Sequence, residues 1–529
     1  QILEKVVGVD EWILSTTANT SNVPLVKWAE KNDKHHFIDD EDDDDLIGRT
    51  NAIVQEKNPN ILIHVFGDTT IIDSETVSSM LALLQKTPNA KTVRVMEIDD
   101  KNPSIHAGFD IYRKDFWYEI VKKSITVIQK EYVGIFSDRL LGKKDVAYYK
   151  DDPIYSSIWH RLSIDTFSDY EFMENVYQRW YGSNKENSIV SLKWLIGQIK
   201  SDTSLRLLNQ HVCQQDVEKN HSKVLLVTQA SSTDGIGHLK RMVWLMRALQ
   251  DFYAISVKLH ILGEVFSANW LDFLPHQWHK NKNSFLNDVT TEYADILVYD
   301  LNPRNYPKNI DKVLMQQQAK GVRQVSIDAM AEYHQYLDLV CIPSFYLSEK
   351  NKDIPVDKLL YGWNCYLMDY RVHEDHVYKR HDEGTSKNLL IITGGSDSGN
   401  FSEWLPLKIE RLLPKNTVIN WVQGPFSKSP IIPKYTEHFW NIHHSPENIK
   451  TLMEQTDIAL TRHGVSFFEL AALGVPTWLM LDDEVADKNE LFQLMQEPWV
   501  FVLKKWENWP NLMKNRDVSK DAIKVSQDG

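Results

Sequence analysis

Apolar and polar positions fall along the chain in blocks that read in turn as strand, loop and helix. Glu11-Trp-Ile-Leu-Ser-Thr-Thr17 reads as a buried strand running into polar residues, and Pro24 to Lys31 as a helix. Asn60-Ile-Leu-Ile-His-Val-Phe66 reads as a strand, Gly67-Asp68 as a turn and Asp73 to Lys86 as a helix. Gln1, Ile2, Leu3, Val6 and Val7 have helical spacing, so the sequence opens on a helix pattern. A new block starts near Ser222. Lys223-Val-Leu-Leu-Val-Thr-Gln229 is the β-branched, apolar run that a parallel sheet buries on both faces. Further strands are predicted at Ser256–Leu262, Ile296–Tyr299, Gln324–Ile327 and Leu339–Ile342. Beyond the charged stretch His373 to Lys387, strands are predicted at Asn388–Thr393, Thr417–Val422, Ile458–Leu460 and Thr477–Leu481. Helices are predicted at Pro446–Gln455 and Phe467–Leu473. The alternation predicts an α/β layer fold. It divides into residues 1–215, 222–370 and 385–529, with Asn209 to Asn220 as a polar linker. No short internal repeat is found.

Length and composition sharpen this. A chain of 529 residues implies about three domains. Hydrophobic residues at 42% and charged residues at 25% are globular values, which argues against wholesale disorder. Lys plus Arg number 59 against 73 Asp plus Glu, a net charge of −14, which disfavours binding to nucleic acid. No apolar run approaches the ~20 residues of a membrane span, and Gln1 to Val7 lacks the layout of a secretion leader. Cys213, Cys341 and Cys365 are too few and too scattered for a disulfide framework or a four-ligand zinc site. A soluble, cytoplasmic, multi-domain protein is expected. The acidic run Asp39 to Asp45 reads as a solvated loop rather than a metal site. His35 with His36, and His443 with His444, are strand neighbours facing opposite sides, poor metal geometry. Among the 17 tryptophans, Trp270, Trp278 and Trp363 are cleft candidates, and Cys365 reads as a buried thiol.

Three stretches carry chemistry. Thr228 to Arg241 follows a strand and opens a helix, with Gly235-Ile-Gly237-His238 at the turn. Glycines there let backbone approach a ligand closely, and a helix N-terminus favours negative charge. Lys240 stands where a dinucleotide fingerprint has its third Gly. His238 at the mouth of an α/β cleft suits a general base, though a capping or packing role fits the same position. Gly394-Gly395-Ser396-Asp397 also follows a strand, and reads either as a phosphate cradle or as a plain turn. His463-Gly464-Val-Ser466-Phe-Phe-Glu469 places Gly and Ser at a helix start. Glu469, one turn inside, is set to accept ribose hydroxyls or simply to complement the helix dipole.

These elements, with Leu297-Val-Tyr-Asp300, Ser326-Ile-Asp328 and Gly362-Trp-Asn-Cys-Tyr366, make residues from Lys223 onward resemble the two-lobed GT-B nucleotide-sugar enzymes. Within them the segment is most similar to the UDP-sugar hydrolase of pseudaminic acid biosynthesis and to spore-coat polysaccharide predicted glycosyltransferases. The resemblance implies His238 as catalytic base, activating water against the anomeric carbon of a UDP-linked amino sugar. It implies UDP binding by Gly235, Gly237, Arg241, Gly394, Gly395, Ser396, Asp397 and Ser466, ribose binding by Glu469, and no metal or other cofactor for this module. The sequence departs at Ala329, where a second Asp is usual, and at Arg462-His463, where small residues are common.

Residues 1–215 resemble the cytidylyltransferases that activate acidic sugars, in a spore-coat polysaccharide form. The matching pieces are Ser15 to Asn19, Leu46-Ile-Gly-Arg49, Phe66-Gly67-Asp68 to Asp73, and Arg161 to Asp169. By that resemblance Asp68 and Asp165 would bind Mg²⁺, with CTP and an acidic sugar as substrates. Without it, Gly67-Asp68 is an ordinary turn and Asp165 an ordinary helix cap. The family's first strand and basic nucleotide loop would precede Gln1, so this domain is expected to be either trimmed or inactive. The overall expectation is an α/β protein: a GT-A-like nucleotidyltransferase domain followed by a double Rossmann-like GT-B module. It would act in bacterial surface-polysaccharide or nonulosonic acid synthesis as a UDP-sugar hydrolase. The alternatives are a glycosyltransferase, and an N-terminal domain serving only as a binding scaffold.

Overall fold

The computed structural model describes residues 2–39, 45–97, 102–185, 188–214, 222–272, 274–302, 304–344, 347–362, 365–369, 387–446, 449–481, 488–496 and 500–503. Most of the acidic run, Trp363 and most of the charged stretch after residue 372 lie outside the described residues. The chain forms two compact units, Gln1–Asn220 and His221–Gly529. Among the described residues no helix is long and apolar enough to cross a membrane.

In the first unit, strands β1 (Leu14–Thr17) and β2 (His36–Asp39) pair in parallel. A mixed four-stranded sheet has the order β3-β5-β4-β6, from β3 (Ile61–Val65), β4 (Thr92–Val95), β5 (Phe109–Arg113) and β6 (Val146–Tyr149). One sheet face buries Ile111 and Val93 with Val77, Leu81 and Leu84 of helix Ser74–Lys86. The other buries Tyr112 with Ile47 of helix Leu46–Lys57 and Trp117 of helix Lys114–Lys123. The opening residues form only a 3-10 turn, Leu3–Lys5, not the helix their spacing predicts. Val6 is extended and buried, so this apolar spacing serves the core beside helix Ser74–Lys86. Asn209, expected in a linker, is 1% exposed. It bonds His160 Nε2 at 2.7 Å and donates to Asp169 at 2.9 Å, so the fold reaches past it.

The second unit holds two all-parallel sheets. The first comprises β7 (Lys223–Ala230), β8 (Ser256–Gly263), β9 (His276–His279), β10 (Ile296–Asp300), β11 (Arg323–Ile327), β12 (Leu339–Ile342) and β13 (Leu359–Tyr361). Its order is β13-β12-β11-β10-β7-β8-β9. The second comprises β14 (Asn388–Ile392), β15 (Val418–Gln423), β16 (Phe439–His444), β17 (Ile458–Arg462), β18 (Thr477–Met480) and β19 (Phe501–Leu503). Its order is β16-β15-β14-β17-β18-β19. Central strands such as β7 and β14 are buried on both faces by separate apolar clusters, which explains their unbroken hydrophobic runs. The described residues from 222 to 503 therefore form a two-lobed, double Rossmann-like α/β module. In each sheet the strand order reverses direction once, between β7 and β10 and between β14 and β17. Such a switch point opens a crevice beyond the carboxyl ends of the strands, where ligands of open α/β sheets bind. The three motifs of the module all lie at these two places.

Candidate active site

At the first switch point, the loop after β7 is a tight polar turn. Ser231 and Gly235 bridge each other, and Asp234 accepts from Ser231 Oγ at 2.6 Å and from Asn302 at 2.8 Å. Gly235 has φ +72°, a left-handed conformation that favours glycine. The turn feeds helix Gly237–Tyr253, so Gly237 and His238 stand in its first turn.

His238 Nδ1 lies 2.6 Å from Asp300 Oδ1, at the carboxyl end of the adjacent strand β10. Asp300 is fully buried. Arg241 Nη2, which can only donate, also lies 3.0 Å from Nδ1, but that nitrogen already serves Asp300 and Asp328; with the hydrogen on Nδ1, the ring donates along the shorter contact to Asp300 and Nε2 keeps its lone pair. Arg241, one turn along the same helix, binds both Asp300 oxygens at 2.9 Å and donates to Asp328 Oδ2 at 2.8 Å. His238, Asp300 and Asp328 offer ligand-type atoms within 4.8 Å of one another, and Arg241 is the cation that bridges the two carboxylates. Sequence reading singled out His238 and Arg241 but gave Asp300 and Asp328 no role. The signal was present: each is a carboxylate at the carboxyl end of an apolar strand.

The second lobe meets this turn. A Cβ on Gly395 would lie 2.8 Å from the Ile236 backbone nitrogen, so only glycine allows this approach. A Cβ on Gly235 would lie 3.7 Å from Ser396 Oγ. Phe266 and Phe426 also meet edge-on across the lobes, 5.3 Å between ring centres. Gly394 is left-handed at φ +89° and lies beside Arg462, the last residue of β17. Ser466 sits in the first turn of helix Val465–Ala472, behind Gly464. Asp397, beside the Gly394–Ser396 turn, caps the helix that follows. Its two oxygens accept from the backbone of Phe401 and Ser402, both at 2.9 Å, and hold the start of helix Phe401–Ile409.

Glu469 is 5% exposed, and burial together with the nearby Asp369 carboxylate pushes its pKa up to about 7. Lys240 opposes that shift. The Trp244 indole nitrogen is buried and closes no hydrogen bond of normal geometry, though it lies near enough to Glu469 to favour its charge. Lys240 also stacks 3.7 Å over the centre of the Trp270 ring, so that cleft candidate is a buried packing partner, as Trp278 largely is. The buried thiol Cys365 faces Cys341, whose pKa burial pushes up to about 12.

In the first unit, the backbones of Asp68 and Ile164 are joined at 2.9 Å, and Thr69 bridges Ser163. Asp68 and Asp165 are thereby neighbours, and burial and the Asp165 charge both raise the Asp68 pKa. Asp165 accepts from Ser163 Oγ at 2.9 Å and pairs with Arg161. The helix cap is Thr166, in a capping box with Asp169, rather than Asp165. Two adjacent hard carboxylates of this kind, one with its pKa raised first by burial and second by the other's charge, fit a divalent cation.

No family model matches the chain. The uncharacterized protein MJ1062 of Methanocaldococcus jannaschii is 22% identical over 291 residues, covering 50% of this chain and 56% of that protein. The chain thus spans little more than half the length of this curated relative. Among solved structures, Acinetobacter baumannii MurG matches 58% of this chain and 95% of its own at 14% identity and a TM-score of 0.37. A Leptospira borgpetersenii cytidylyltransferase matches 40% of this chain and 86% of its own, at 20% identity and a TM-score of 0.33. A Neisseria meningitidis UDP-GlcNAc 2-epimerase bound to UDP-GlcNAc matches 58% of this chain and 90% of its own, at 12% identity and a TM-score of 0.32.

Proposed function

We propose that the two-lobed module is a nucleotide-sugar enzyme that cleaves the bond between a UDP diphosphate and an amino sugar. The observation that supports this best is the meeting of two switch points, one bearing the His238–Asp300 pair and the other the Gly394–Ser396 and Ser466 turns. His238 Nε2 takes a proton from the attacking water as the water oxygen bonds to the anomeric carbon. The anomeric C–O bond to the β-phosphate breaks, and UDP leaves with the bonding pair. Backbone N–H groups at Gly395, Ser396 and Ser466 hold the leaving charge, and Glu469 takes the uridine ribose. Asp300 fixes the imidazole's tautomer and stabilises the imidazolium that forms. Arg241 supplies the cation between the carboxylates, so the reaction proposed here uses no metal in this module. By the resemblance of its motifs, the product feeds nonulosonic acid or surface-polysaccharide synthesis.

With a sugar hydroxyl in place of water, the same residues would make a glycosyltransferase. The deciding experiment follows UDP release from a panel of UDP-amino sugars, with and without sugar acceptors. Release without acceptor is expected; strict acceptor dependence establishes the transferase. His238→Ala is expected to abolish release, and full activity in that variant refutes the assignment of the base. For the first unit we propose that Asp68 and Asp165 hold Mg²⁺, which when bound would neutralise a nucleoside triphosphate. CMP transfer from CTP to an acidic sugar tests activity; its absence in the intact protein makes this unit a binding scaffold.

A further inference from the structure

The two carboxylates that share Arg241 are used differently. Asp300 is sealed, with none of its side chain exposed, while 43% of the Asp328 side chain is exposed. Arg241 holds Asp328 by Oδ2, and no hydrogen bond from a described residue reaches Oδ1. Strands β10 and β11 are parallel neighbours, so Asp328, just past the end of β11, stands at the same sheet end as Asp300. Its carboxylate falls within the 4.8 Å group that includes the His238 ring. From the other lobe, His463 faces it closely enough to act on its charge. Asp328 therefore lies on the wall of the interlobe crevice, beside the proposed base.

The backbone holds it there at a cost. Asp328 has φ +69° and Met330 φ +67°, two left-handed non-glycine residues in one short loop. The Asp328 N–H is bound by the Cys341 carbonyl at 2.8 Å, and the Met330 N–H by Tyr306 Oη at 2.7 Å. Strain of this kind persists where surrounding structure fixes it, and it clusters at ligand sites. Burial opposes the charge on Asp328, but Arg241, His238 and His463 together hold its carboxyl below the usual range, so it is ionised at neutral pH. An exposed anion in a crevice meant for a diphosphate repels the ligand unless the sugar returns a hydrogen bond to it.

We propose that Asp328 is the residue by which this site reads the sugar, its Oδ1 accepting a hydrogen bond from a hydroxyl or N–H substituent of the ring. This rests on the nucleotide-sugar reading above and names the group within it that selects the sugar. A site built around such an acceptor rejects ligands that lack the donor, because the carboxylate is then left desolvated and unpaired.

The test is calorimetric titration of the full chain with UDP, UDP-GlcNAc and UDP-glucosamine. The wild type should bind both sugar nucleotides more tightly than UDP. Asp328→Gly, which suits the left-handed backbone, should lose that sugar increment by about 10- to 100-fold. Its UDP affinity should hold or rise, because an anion is removed from beside the diphosphate; a fall would show a damaged crevice rather than a lost sugar contact, and the asparagine variant then decides. Asp328→Asn, which tolerates the same backbone and keeps an acceptor, should retain part of the increment for UDP-GlcNAc and less for the cationic UDP-glucosamine. A glycine variant that keeps the increment, or a wild type that shows none, overturns the proposal. If the glycine variant does not fold, an asparagine variant matching wild type for all three ligands overturns it equally. UDP release is scored separately: a protein that binds sugar through Asp328 yet releases no UDP refutes the reaction and leaves the recognition standing.

Discussion

Replacing Glu469 by Gln should stabilise the protein above pH 4.5, and by more as pH rises. In the folded chain, burial and the Asp369 charge move the Glu469 pKa from an ordinary 4.5 to about 7. The folded state therefore holds this proton more tightly than the unfolded one. Stability is greatest below pH 4.5 and falls as pH rises from 4.5 through 7, because ionising the buried group costs more than ionising it in water. The full shift corresponds to about 3 kcal/mol above pH 8, and to about 1 kcal/mol at pH 5. Gln is neutral at every pH and matches the protonated carboxyl in shape. Relative to wild type, the variant should gain about 2–3 kcal/mol between pH 5 and pH 8. In thermal melts of the full chain this is roughly a 5 °C widening of the gap in Tm. A constant gap across that range refutes the burial and pairing assigned to Glu469. The same variant should bind UDP about tenfold more weakly if the carboxylate takes the ribose.

Asp300→Asn should lower kcat for UDP release at least about 100-fold with little change in KM, since the amide gives its oxygen to Arg241, turns its N–H groups toward Nδ1 and removes the counter-charge to the imidazolium; a raised KM with kcat unchanged would assign Asp300 to binding. Gly395→Ala sets a methyl 2.8 Å from the Ile236 nitrogen, so it should cost about 1–3 kcal/mol and depress UDP release, read by melts and turnover together. His260 is fully buried and His279 nearly so; they share a 2.9 Å contact, with Glu292 and Lys258 at one end and Asp288 at the other. Burial lowers both pKa values, so the unfolded chain takes protons first, and their contribution, complete above pH 6.5, is lost as pH falls. Changing both to Gln should flatten that acid-side loss in melts between pH 7.5 and pH 5. Asp68→Asn should abolish the rise in Tm that MgCl₂ gives the wild type; an unchanged rise places the cation elsewhere.

The central strands were legible because parallel sheets buried on both faces leave runs such as Lys223–Gln229 and Asn388–Thr393. The edges were harder. Residues 276–279 and 439–444 are polar, partly exposed edge strands whose alternation is too weak to distinguish from loop. The glycine turns and His238 were marked by their position between strand and helix. Their meeting across the crevice depends on tertiary packing that no local pattern encodes. Asp397 shows the same limit from the other side. A phosphate cradle and a helix cap call for the same small and polar residues, and only the bonds to Phe401 and Ser402 show that Asp397 caps a helix, whatever else it does. Asn209 looked like linker because a buried amide satisfied by His160 and Asp169 has the polarity of an exposed one.

The parallel sheets of the second unit each enclose apolar clusters of their own, while the groups facing the crevice are divided between them. His238, Asp300 and Asp328 come from one lobe, and Gly394 to Ser396 and Ser466 from the other. Neither half is a complete workshop, yet each is a complete building. On the proposed reading, selection can refit the half assigned to the sugar while the half assigned to the nucleotide stays as it is, and a chimera exchanging one lobe would inherit its two preferences from two parents.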